Sequence, residues 1–153
     1  MTYLLGEMIA RLARAADLPS LLELFAASEV SPVIQPFERA ERVWLETLER
    51  QGVYVFVSED GARVAATCML VTVPNLLRQG RGHGFLENVV THPNFRGLGH
   101  GSAVVRAALA QAWAANCHHV LLQSGRTDPR VQRFYEHQGF VPGRRTAYVV
   151  SSR

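Results

Sequence analysis

The segment that most restricts this chain is Leu86-Glu87-Asn88-Val89-Val90-Thr91-His92-Pro93-Asn94-Phe95-Arg96-Gly97-Leu98-Gly99-His100-Gly101. It reads as a buried strand, a short turn and a glycine-rich loop that opens a helix. Glycines at 97, 99 and 101 remove the side chains that would hold a ligand away from the backbone. Successive N–H groups and the positive end of the following helix can then converge on one anion. The ligand expected there carries a pyrophosphate.

Spacing separates the phosphate-binding loops that compete for this segment. A Walker loop needs a lysine after its last glycine, and the chain contains no lysine. A dinucleotide fingerprint needs Gly-x-Gly-x-x-Gly with an acidic residue about 20 positions on. Here Ser102 stands where the third glycine belongs, and no carboxylate occurs between Glu87 and Asp128. The remaining pattern, Arg/Gln-x-x-Gly-x-Gly/Ala, is met by Arg96, Gly99 and Gly101, and it resembles the acetyl-coenzyme A (acetyl-CoA) loop of the GNAT superfamily of N-acetyltransferases. A second stretch, Phe134-Tyr135-Glu136-His137-Gln138-Gly139-Phe140, resembles the Phe-Tyr-Glu-x-x-Gly-Phe ending of the same superfamily. The resemblance runs from about Phe85 to Phe140, and the first 75 residues match only in their order of elements.

Composition is consistent with this. A chain of 153 residues is expected to form one domain, 1–153, burying roughly 70% of the surface that its unfolded form exposes. Cys68 and Cys117 lack Cys-x-x-Cys spacing and are read as buried free thiols. No apolar stretch approaches the roughly 20 residues of a membrane span, and no signal-peptide pattern is seen. A soluble, cytoplasmic protein is expected. Net charge is +3, yet residues 1–60 hold ten acids against five arginines and residues 61–153 three against eleven. The C-terminal part is therefore the anion-binding part. Without a basic helix, zinc-finger spacing or aromatics interleaved with arginine, nucleic-acid binding is not expected.

Patterning gives the order of elements. Met8 to Ala13 alternates as a strand. Asp17 can cap a helix carrying Leu18, Leu21, Leu22 and Phe25, and a second helix from about Glu38 to Arg50 carries Trp44, Leu45 and Leu48. Val53–Ser58 and Val64–Val73 flank a turn at Glu59-Asp60-Gly61 and read as an antiparallel hairpin. Pro74–Gly84 is expected as a mobile loop and Phe85–Thr91 as a strand. A helix from Gly99 to Asn116 follows, with Val105, Leu109, Ala112 and Trp113 as its apolar stripe. Val120–Gln123 is a strand and Pro129–His137 a helix, and Val141 and Ala147–Val150 are expected to finish the sheet. The fold class is α/β, a three-layer α/β/α arrangement. The resemblance implies a mixed, mostly antiparallel sheet splayed at its centre to admit the cofactor.

Acetyl transfer from a thioester to an amine requires a neutral amine, stabilisation of the carbonyl oxyanion and a proton for the departing thiolate. The resemblance implies Tyr135 as the general acid, and a phenol with an ordinary pKa of about 10 stays protonated at neutral pH. Glu87 is the only carboxylate on the central strand; alternation puts it on one face with Phe85, Val89 and Thr91. The resemblance implies it as a water-mediated general base. The backbone of Val89, Val90 and Thr91 is implied to pair with the pantetheine arm, and Arg96, Gly97, Leu98, Gly99, His100, Gly101 and Ser102 to meet the pyrophosphate. Asp128 falls where the family often has asparagine against pantetheine.

Histidines at 92, 100, 118 and 119 raise the question of a metal. His118 and His119, adjacent on a strand, are expected to point to opposite faces, and His92 and His100 lack acidic or cysteine partners at ligand spacing; no metal is expected. Two readings stand. One is an enzyme that acetylates a primary amine of a small molecule or peptide, an amino sugar phosphate among the candidates because Glu87-Asn88 and the loop spacing are similar to glucosamine-phosphate acetyltransferases. The other is a non-catalytic acetyl-CoA-binding sensor or subunit. Homodimers are common in the resembled family, and no residue pattern marks an interface.

Overall fold

The computed structural model describes residues 8–152, which divide between Leu122 and Gln123 into two compact units. The first contains β1 (Ala10–Leu12), α1 (Leu18–Ser28), α2 (Phe37–Glu49), β2 (Val53–Asp60), β3 (Arg63–Val73), β4 (Gly82–Thr91), α3 (His100–Ala114) and β5 (Cys117–Leu122). The second contains α4 (Pro129–His137). The strands form one sheet in the order β1-β2-β3-β4-β5. All neighbours are antiparallel except β4 and β5. That parallel pair is bridged by α3, the kind of crossover that two parallel strands require.

Side-chain alternation sorts β2 into two faces. Val55 and Val57 join Leu18, Leu21 and Leu24 of α1 and Trp44 of α2 in one apolar cluster, with Val64 and Val90. Phe56 and Ser58 point the other way, where Ser58 meets the first residue of α3 and Cys68, the cross-strand partner of Phe56, donates its thiol to the Val104 carbonyl at 3.3 Å. Helices thus cover both faces, which makes three layers. Leu21 and Leu24 are among the largest fully enclosed side chains, each contributing about 2 kcal/mol through burial.

The buried stripe of α3 keeps Val105 and Ala112 of the expected one but leaves out Trp113. Ala103, Val104, Val105, Ala108 and Ala112 are buried, while Trp113 is exposed. Three small residues in the contact let the helix lie close to the sheet. An indole there would force it away. Burial pushes the Cys68 thiol up to about 12, and Cys117 is buried and shifted in the same direction by desolvation.

Two further differences concern element boundaries. β4 begins at Gly82, so part of the expected loop 74–84 is strand, and its middle forms a short 3-10 turn, Arg78–Gly80. Val141 and Ala147–Val150 do not join the sheet: no strand occurs between 138 and 152. Tyr148, Val149 and Val150 lie exposed; β-branched composition alone does not make a strand without a partner edge.

Arg11 on β1 ties the start of this fold together. Its guanidinium bonds both oxygens of Asp17 at 2.8 Å and reaches Glu59 at the end of β2. Asp17 also accepts the Arg14 N–H at 2.7 Å, so its carboxylate closes the 3-10 turn ahead of α1. The Arg11 hydrogen bonds hold the Asp17 pKa below its ordinary 3.8. A carboxylate with a depressed folded-state pKa stabilises the fold above its unfolded value, and that contribution is lost as pH falls through the folded value. Stability should therefore drop below about pH 4, and Asp17→Asn should make this acid limb shallower in urea-unfolding midpoints taken across that range. Separately, Leu24→Ala should cost about 2–5 kcal/mol of unfolding free energy by denaturant titration.

Candidate active site

The centre of the site is a break in β4. Glu87 pairs with Met69 and Val90 with Thr67, so Asn88 and Val89 together oppose the single residue Cys68. This is a β-bulge, and Asn88 takes a left-handed conformation with φ +51°, which asparagine tolerates better than most residues. The extra residue reverses the alternation. Glu87 keeps the face of His83 and Phe85, but it shares that face with Val90 rather than with Val89 and Thr91 as plain alternation suggests. Val90 continues into the core cluster, while Glu87 and Asn88 are exposed.

Beyond this point β4 loses its parallel neighbour. Its register with β5 runs from Gly82↔Cys117 to Leu86↔Leu122, and β5 ends there. From Glu87 to Thr91 the strand keeps β3 on one side and has no β5 partner on the other. Val89, Val90 and Thr91 fall on this open edge, whose backbone groups can pair with an extended ligand.

The open edge leads to the glycine loop. The His92 N–H bonds the Ala65 carbonyl at 2.8 Å, and its Nδ1 accepts the Asn94 N–H at 3.1 Å, closing the turn Pro93–Phe95. Gly97 and Gly99 both have positive φ, +76° and +96°. A Cβ at Gly97 would meet nothing within 4 Å, and one at Gly99 only the Met8 side chain. Backbone conformation, rather than crowding, therefore demands glycine here, and the space beside the loop stays open for a ligand. Arg96, Gly97, Leu98 and Gly99 are exposed; Gly101 and Ser102 lie in the first turn of α3. At the start of α3 the Ala103 N–H bonds the Gly99 carbonyl at 3.0 Å, so the positive end of the helix points into the glycine loop. These features fit a diphosphate.

His100 differs from its loop neighbours. The residue is only 1% exposed, and Nδ1 lies 2.7 Å from Ser58 Oγ. One sequence signal could have found this: positions 100, 104, 108 and 112 recur at helical spacing with Val104, Ala108 and Ala112, so His100 heads the buried stripe.

In the second unit, Tyr135 packs edge-on against Phe134 and Phe140, with centroids 5.1 and 6.0 Å away. The Phe140 N–H bonds the Tyr135 carbonyl at 3.1 Å, and Gly139, φ +96°, turns the chain after α4. The signature Phe-Tyr-Glu-x-x-Gly-Phe is therefore a helix and its C-terminal closure. Asp128 caps the other end: its Oδ1 accepts the Arg130 N–H at 2.9 Å, and the Arg130 guanidinium holds its carboxyl below the ordinary value.

The histidines on β5 are arranged differently from expectation. His118 and His119 do not point apart; their rings lie 5.3 Å from each other, with Nδ1 atoms 3.0 Å apart. His119 Nε2 is 2.8 Å from His83 Nδ1. The two nitrogens of His119 thus face different neighbours, and the three imidazoles do not converge on one point. Among the described residues no group of three or more His, Cys, Asp or Glu side chains could hold a metal ion, and no helix is long and apolar enough to cross a membrane.

Comparison with known proteins agrees with this geometry. The family model described as the acetyltransferase (GNAT) family matches residues 18–140. Glucosamine 6-phosphate N-acetyltransferase of Trypanosoma brucei brucei is 30% identical over 132 residues, covering 85% of this chain and 86% of that protein. Glucosamine 6-phosphate N-acetyltransferase 1 of Oryza sativa subsp. japonica is 31% identical over 118 residues, covering 74% and 70%. A solved structure from Agrobacterium tumefaciens str. C58, described as an acetyltransferase, superposes with a TM-score of 0.85 at 40% identity over 94% of this chain and 99% of that one. With the bulged strand, the parted sheet and the glycine loop, this match shows that the chain belongs to the GNAT family and is an N-acetyltransferase, an enzyme class that uses acetyl-CoA as co-substrate.

Proposed function

We propose that this enzyme transfers the acetyl group of acetyl-CoA to a primary amine of a small molecule or peptide by direct attack, with an amino sugar phosphate as the favoured acceptor. The observation that carries the mechanism is the continuity of β4: its open edge, Glu87 and the glycine loop lie within fifteen consecutive residues, 87–101. The pantetheine arm pairs with the backbone of Val89, Val90 and Thr91, and the diphosphate sits against the amides of 97–102. The names of the two curated relatives support the acceptor class.

In this reading Glu87, exposed on its face, takes the ammonium proton through water and leaves the amine lone pair free. The nitrogen attacks the thioester carbonyl carbon; the N–C bond forms, the C–S bond breaks, Tyr135 gives its phenolic proton to the departing sulfur, and the surplus proton on the new amide nitrogen leaves through water to restore the phenol. Backbone N–H groups at the bulged edge stabilise the carbonyl oxygen as it gains charge. Asp128, engaged as the cap of α4, contributes by fixing the start of the helix that carries Tyr135.

Calorimetric titration with acetyl-CoA, using ATP and NAD as controls, tests the coenzyme assignment, and a well-folded sample that binds none of them would overturn it. Acetyl transfer to glucosamine 6-phosphate compared with glucosamine tests the acceptor. Tyr135→Phe should lower kcat by about 100-fold with little change in acetyl-CoA affinity; an unchanged kcat would remove Tyr135 from the acid role. Gly99→Val should abolish measurable acetyl-CoA binding, because a β-branched residue does not adopt φ +96° without strain.

A further inference from the structure

We infer that His100 is a positioning residue for the coenzyme diphosphate, acting through a buried side-chain relay into the far edge of the sheet. The inference rests on the reading that the glycine loop holds that diphosphate.

The relay follows from donor counting. Ser58 has one hydroxyl proton, and its Oγ lies 3.0 Å from the Ile9 carbonyl, which can only accept. The 2.7 Å contact between Ser58 Oγ and His100 Nδ1 is therefore an Nδ1–H donating to the serine oxygen. A continuous path results, from the first residue of α3 through Ser58 on β2 to the backbone just ahead of β1. The other ring nitrogen, Nε2, is enclosed and has no partner among the described residues. Neither nitrogen is presented to solvent, so the imidazole cannot itself bond a phosphate in the loop. What it can do is hold the loop.

The loop needs holding. Gly97 and Gly99 are both left-handed, and a Cβ at Gly97 would meet nothing within 4 Å and one at Gly99 only the Met8 side chain. Such a segment has many accessible conformations, and an anion that binds it must select one. His100 follows Gly99 directly, is fully buried and stands edge-on to Phe95 on the other side of the loop, with centroids 6.1 Å apart. The loop is thus clamped between a ring in its leading turn and a ring in its trailing helix. Preorganisation of the amides depends on that clamp.

The test compares a thioester that carries the diphosphate with one that lacks it. Dissociation constants for acetyl-CoA and for S-acetylpantetheine are measured by NMR titration on the wild type, His100→Leu, Ser58→Ala, the double variant and His100→Asn, whose amide can restore the donor at the Nδ1 position. Thermal melts and far-UV spectra establish folding. We expect the acetyl-CoA Kd to rise about tenfold in His100→Leu and in Ser58→Ala, with no further rise in the double variant. The S-acetylpantetheine Kd should stay constant throughout, and His100→Asn should recover most of the loss. Equal weakening of both ligands, additive effects, or an unaltered acetyl-CoA Kd in folded variants would overturn the role of His100. A wild type indifferent to the diphosphate would instead overturn the loop assignment, and this inference with it. If His100→Leu does not fold, Ser58→Ala and His100→Asn carry the same comparison.

Discussion

The architecture of this enzyme depends on the point where β4 gains one residue and loses one neighbour. Asn88 bulges out of the ladder between β3 and β4, and pairing with β5 ends two residues earlier, at Leu86. A sheet interior normally has every backbone group satisfied by an adjacent strand. Here, among the described residues, half of β4 is left with β3 as its one neighbouring strand. The order β1-β2-β3-β4-β5 makes this opening stable, because β1 to β3 and the helices α1, α2 and α3 keep the rest of β4 in place.

The same strand joins the core to the candidate site. Val90, two residues past the bulge, is anchored in the apolar cluster with Leu21, Leu24 and Trp44. Glu87, one residue before it, is exposed on the same face. The helices α1 and α2 cover one end of that face and leave the other to His83, Phe85 and Glu87. A defect that softened the core around Val90 would therefore be felt first in the position of the open edge.

Much of this was legible in the residues. The glycines at 97, 99 and 101 mark a loop that leaves its backbone open to a ligand, and the strand-loop-helix order follows from patterning between Leu86 and Ala112; that 97 and 99 are left-handed is seen only in the structure. What escaped was whatever depends on register. A period of two assumes no inserted residue, so the face of Val89 and Thr91 was misassigned once Asn88 bulged. In α3, Val105 and Ala112 are buried as their spacing suggests, but Trp113 looks apolar in a pattern and is exposed, because packing against a sheet selects small residues such as Ala103 and Ala108. His118 and His119 were expected apart because adjacent strand residues alternate, whereas their rings turn toward each other and His119 also meets His83. The C-terminal run Ala147–Val150 has strand composition and no strand, since pairing is a property of two segments and composition of one.

The state of the cysteines has a consequence for an enzyme whose substrate is a thioester and whose product is a thiol. Acyl exchange onto protein sulfur, and mixed disulfide formation with the released coenzyme, both require a protein thiolate that the small molecule can reach. Cys68 is enclosed between β3 and α3, its thiol directed at the Val104 carbonyl and its ionisation displaced by burial to about 12. Cys117 is likewise buried at the start of β5. The fold thus keeps both of these sulfurs enclosed, out of reach of the thioester and the thiol that the enzyme turns over.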